Sequence, residues 1–151
     1  VAVSELGFRL WERLHGHVGW LAAAALVHPA WLLRRRRRRA PGVAWGATVL
    51  VTVVGLSGAL LYPSYREQVK PVLFERAPAV GWMFERKEHL AVGAVALAWA
   101  GLLSHLAVPK ATSPAVAEGL ERVARRCFMG SAALTVVVAA LGTWVASTAS
   151  F

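Results

Sequence analysis

Apolar positions in this chain do not recur in the short periodic clusters of a soluble protein. They run in four long blocks, at residues 14–33, 43–62, 88–108 and 127–149. Each block is close to the roughly 20 residues needed to cross a bilayer core about 30 Å thick. The pattern predicts an all-α integral membrane protein, an up-down four-transmembrane-helix bundle, as one membrane domain over residues 1–151. A chain of this length has room for one domain and no more.

The intervening stretches set the connectivity. Residues 1–13 place Leu6, Leu10 and Trp11 at helical spacing among Glu5, Arg9, Glu12 and Arg13, which reads as an amphipathic lead-in at a membrane surface. Arg34 to Arg39 stop span one, and Pro41-Gly42 turns the chain back so that span two runs antiparallel. Residues 63–87 form a long, apolar connection divided by Pro63, Pro71 and Pro78, expected to lie as an interfacial cap over the bundle. Thr112, Ser113 and Pro114 followed by Glu118 resemble a capped helix start leading into span four. Gly55, Ser57 and Gly58 read as a close-packing face, and Thr135, Thr143 and Ser147 as hydroxyls that bond back to their own helix.

Charge then orients the spans. The net charge is +9, and the connections after spans one and three hold ten of the 17 Lys and Arg residues. Excess Lys and Arg marks the cytoplasmic side, so both termini and the 63–87 connection are expected outside, in a bacterial inner membrane. On this view Arg34 to Arg39 sit against anionic lipid, and nucleic acid is the less favoured partner.

Composition removes several chemistries. Cys127 is the single cysteine, so there is no internal disulfide, no CxxCH haem attachment and no iron-sulfur spacing. There is no aspartate, and no serine has a histidine and a carboxylate in sequence reach for hydrolysis.

The remaining candidates are five histidines, all on spans one and three: His15, His17, His28, His89 and His105. In an up-down bundle these two spans are parallel and diagonal. His28 lies six residues before Arg34 and His105 five before Lys110, about 9 Å and 7.5 Å from the inner boundary at 1.5 Å per residue. His17 and His89 make a similar pair at the outer end. Two such layers resemble, in architecture only and without a family signature, the way b-type cytochromes hold haem between two imidazoles. The resemblance implies one or two haem b groups ligated by His28, His105, His17 and His89. The chain would then carry electrons, or anchor a redox complex, with other redox subunits and a quinone as partners.

Helical phase divides these candidates. At 100° per residue His17 and His28 share a face to within about 20°, whereas His15 is about 140° from His28 and His89 about 160° from His105. Two other readings stand beside haem. Glu12, His15, Glu85, Glu88 and His89 offer carboxylates and imidazoles for an outer transition-metal site of a copper-like kind. Alternatively the histidines bond only to neighbouring helices in an accessory subunit, with His28 donating to the Ala25 carbonyl freed by Pro29.

Overall fold

The computed structural model describes residues 5–34 and 41–149. Helix α1 spans Glu5–Arg34, α2 Pro41–Gln68, α3 Lys70–Arg76, α4 Pro78–Ala107 and α5 Pro114–Ala149, with a 3-10 turn at Val108–Lys110. No strand occurs among the described residues. The four longer helices are each long and apolar enough to cross a membrane. Of the arginine run, Arg34 is exposed in the last turn of α1, and Arg35 to Arg39 lie outside the described residues.

The helices are longer than the apolar blocks, and the 63–87 connection is where the difference matters. Most of it is helical: α2 continues through Pro63 to Gln68, and α4 begins ten residues before the expected Glu88. Proline does not interrupt these elements as expected, because Pro71 and Pro78 stand in the first turns of α3 and α4, where a backbone N–H has no intrahelical partner to lose. The break falls at Ala77, whose φ of −148° and ψ of 72° reflect the crowding that a following proline imposes. The amphipathic lead-in likewise merges into α1. At the start of α5, Ser113 Oγ accepts from the Val116 N–H at 3.3 Å, as the capping pattern predicts.

Helices α1 and α4 each pack against both α2 and α5, and α3 lies against α2 and α4. The interface residues are small. Ala22, Ala23, Ala30, Ala44, Ala47, Ala94, Ala98, Ala124 and Ala132 are buried, and Leu26, Leu102 and Phe128 supply the bulk between them. Large apolar side chains point away: Leu60 is 74% and Val92 71% exposed. Small residues inside and branched ones outside are what helix association in lipid favours, since lipid tails already solvate leucine and valine.

Contacts fix the directions of the helices. A Cβ on Gly19 would lie 4.0 Å from Val54 and one on Gly58 3.1 Å from His15, so α2 descends as α1 rises. In the same way Gly55 meets Val95 while Trp99 Nε1 donates to Thr52 Oγ1 at 3.1 Å, reversing α4 relative to α2. Between α4 and α5, Gly101 lies against Ala124, Cys127 and Phe128, Ser131 Oγ donates to the Ala94 carbonyl at 2.7 Å, and Gly93 faces Leu134.

Candidate functional site

Burial gives each histidine an absolute direction. The inward face of α1 carries Gly19, Ala22, Ala23, Leu26, Pro29 and Ala30. From Leu26, His28 is turned by about 200° and His17 by about 180°, so the two do share a face, and it is the outward one. Both are exposed. His15, turned by only about 20°, is the half-buried histidine of this helix. On α4 the inward stripe Ala94, Ala98, Gly101 continues to His105, whereas His89 is exposed.

The four expected haem ligands therefore do not converge within one chain. His28 faces away from the core that His105 faces, and its ring contact is with Trp31 on its own helix, centroids 6.4 Å apart. The bond from His28 to the Ala25 carbonyl is not formed. His105 Nδ1 is buried without a hydrogen-bond partner in the protein. At the other end, His17 Nδ1 lies 2.7 Å from the Arg13 carbonyl and His89 Nδ1 3.0 Å from the Glu85 carbonyl. A carbonyl can only accept, so in each ring Nδ1 carries a proton and points Nε2 away from its own helix bond. Of the glycines near these histidines, Gly93 packs on Leu134 of α5 and Gly19 on Val54 of α2. Nor do Glu12, His15, Glu85, Glu88 and His89 assemble as a donor set. Among the described residues, no three His, Cys, Asp or Glu side chains are grouped to hold a metal ion.

What the fold does assemble is a cluster of polar and aromatic side chains at the end of the four long helices that α3 caps. His15 Nδ1 is 2.7 Å from Ser57 Oγ, across from α1 to α2. Ser57 gives its one proton to the Val54 carbonyl at 2.8 Å, so the imidazole is the donor and His15 Nε2 is left as an acceptor. The ring lies over Gly58, where a Cβ would come within 3.1 Å of Cε1 and 3.5 Å of Nε2.

From α4, Lys87 reaches the same cluster. It is seven residues, about 20° of phase, from the buried Ala94, so the helix aims it inward. Its ammonium sits 4.2 Å from the centroid of Phe84 and 3.8 Å from where a Cβ on Gly142 of α5 would stand.

Phe84 in turn stacks on Tyr65 of α2, with centroids 3.8 Å apart and planes 12° from parallel. Tyr65 is only 8% exposed, and its hydroxyl has no hydrogen-bond partner in the protein. Val69, Leu73, Val80 and Val145 close the apolar side of this corner. Outside it, Lys70 pairs with Glu85 at 2.5 Å, and the hydrogen bond to that carboxylate holds the lysine above its usual range.

Glu12, His15, Glu85 and Glu88 were legible in the sequence as candidate donors, Lys87 as a basic partner for a haem edge and Ser57 as a packing residue, whereas Tyr65, Phe84 and the inward direction of Lys87 were not read. The missed signal was phase: the small-residue stripe of α4, traced back past Glu88, already puts Lys87 on the inward face. The glycines and serine of α2 do form a packing face, and that face also receives His15. No protein-family model, curated protein or solved structure matches the chain.

Proposed function

We propose that this protein is a bilayer-spanning, up-down four-helix subunit of a larger membrane complex, an anchor or accessory component of a redox assembly. The observation that carries this reading is the outward pair His17 and His28, two exposed imidazoles on one face of an apolar helix. Ionisable groups are costly against hydrocarbon and normally face protein or a polar cavity. A partner helix on this face of α1 removes that cost, and the lysine and arginine asymmetry puts both termini and α3 outside. Anionic lipid then neutralises the arginine-rich inner connection.

Native mass measurement of the protein released in mild detergent tests the reading. The expected result is a mass above the 16.2 kDa of one chain, reduced to one chain by His17→Leu and His28→Leu together. A wild-type protein that runs as a single chain overturns it.

A second reading, haem b shared between chains, is favoured by one detail. The Nδ1–H groups of His17 and His89 are held by carbonyls, the outer-shell bond that orients a metal-ligating imidazole and leaves Nε2 free. Oxidised and dithionite-reduced spectra of the multichain form test it. A reducible Soret band lost in His17→Ala supports haem, and a colourless multichain form removes haem while leaving the subunit role.

A further inference from the structure

We infer, on the footing of the subunit role proposed above, that the outward face of α1 packs against the same face of a second copy of this chain. The product is a parallel, two-fold dimer in which His28 meets its own counterpart.

Ionisable groups single out this face. Residues 43–61 of α2 and 128–148 of α5 contain none, so the outward faces of those helices suit lipid tails. On α4 the exposed His89 stands at the start of the apolar block, three residues from Arg86 and close to the level of head groups. His28 is placed differently. It is exposed about 9 Å inside the inner boundary at 1.5 Å per residue, and it has no hydrogen-bond partner among the described residues. Its neighbour is the Trp31 ring of its own helix. A polar ring facing hydrocarbon at that depth calls for a polar group from another chain.

An identical imidazole meets that need. The neutral ring has one N–H donor and one acceptor nitrogen, so two copies of it form an N–H···N bond with each other. Topology delivers the second ring at the right depth. Copies of one chain insert in the same sense, so two α1 helices facing each other about an axis along the membrane normal run parallel, and each position meets its counterpart. A different chain must supply a polar group of its own at this level; a second copy already has one.

Spacing lets the contact extend along the span. Leu14, His17, Leu21, Ala24, His28 and Trp31 are all exposed and recur in steps of three and four, an average of about 3.5 that a left-handed pair of helices keeps in register. No Lys, Arg or Glu lies between Leu14 and Leu33, so the two like surfaces meet without repulsion. Ala24, one turn before His28, lets the backbones approach. Helix α2 presents Val49, Val53, Leu56 and Leu60 at the same spacing with nothing polar among them, which makes it the comparison face.

Disulfide trapping in native membranes, read on a denaturing gel, tests the pair. In a Cys127→Ser background, Leu21→Cys and Ala24→Cys are compared with Val53→Cys, similarly exposed and next to the Val54 that lies against Gly19, hence at matching depth. All three positions are outside the core. A disulfide needs Cα atoms within about 7 Å, a distance reached where the two seams meet. Copper phenanthroline is expected to give a band at twice 16.2 kDa for Leu21→Cys and Ala24→Cys and to leave Val53→Cys at one chain. In the Ala24→Cys chain, His28→Asn, which keeps a donor and an acceptor, is expected to hold the yield, and His28→Leu to lower it about threefold. Absence of the band at both seam positions, or an equal band for Val53→Cys, overturns the second copy. Equal yields from the two His28 variants overturn the imidazole contact. Native mass keeps the two proposals apart: a mass above one chain without a seam cross-link leaves the subunit role with a different partner, and a single-chain mass removes both.

Discussion

His15 of α1 is a hydrogen-bond donor to Ser57 of α2, because Ser57 has one proton and directs it to the Val54 carbonyl. This bond joins two helices near the capped end and sets the imidazole tautomer there. His17, two residues on, bonds only to its own helix.

Ser57→Ala removes the acceptor of the His15 Nδ1–H and is expected to lower stability by about 0.6 kcal/mol and at most about 1.7, the range measured for hydrogen bonds between membrane helices. His89→Ala, at an exposed position, is expected to change it by less than about 0.5 kcal/mol. Thermal unfolding in a single detergent, read by the loss of monodisperse protein, compares the two. Equal losses at both positions would contradict the assignment.

Gly101 sets the approach of α4 to α5. A Cβ there would lie 3.2 Å from Cys127 and Phe128 side-chain atoms and 3.3 Å from the Ala124 carbonyl oxygen. Gly101→Leu is expected to cost about 1–3 kcal/mol through overpacking. Gly46→Leu, whose Cβ meets nothing within 4 Å, is expected to be neutral, and the same unfolding measurement separates them.

Lys70 makes the capped end sensitive to alkali. A lysine held above its ordinary value of 10.5 by a carboxylate contributes stability that is fully present below that value and lost as pH rises through the raised one. The stability difference between wild type and Lys70→Met should therefore stay level through neutral pH and vanish in strong alkali. Unfolding curves taken across the alkaline range check the direction, and a difference that grows with pH would refute it.

Orientation is open to labelling. In a Cys127→Ser background, Gln68→Cys at the end of α2 is expected to react with a membrane-impermeant maleimide in right-side-out vesicles. Thr112→Cys, between α4 and α5, is expected to react only after the vesicles are opened. The reverse pattern would invert the assignment made from the Lys and Arg counts.

Much of the architecture was legible from residue order. Four apolar runs, the Ser113 cap and the own-helix bonds of Thr135, Thr143 and Ser147 follow from local chemistry, and the structure shows each. The relative phases of the histidines were legible too, since helix geometry alone sets the angle between two positions. Direction was not. In helices apolar on every side, hydrophobicity does not distinguish the core from the outer surface, so the shared face of His17 and His28 reads equally well as inward or outward. Close packing of alanine and glycine decided it, turning those two outward and His15 inward.

The stretch from Pro63 to Lys87 shows the same limit from the other side. Its prolines suggested interruptions, and only the packing of Tyr65, Leu73 and Phe84 against one another and Val145 shows them joined in helical elements around a common corner. Sequence by itself determined the helices and the angles along them. The tertiary structure decided which angle points inward, because that depends on which side chains are small enough for two backbones to meet.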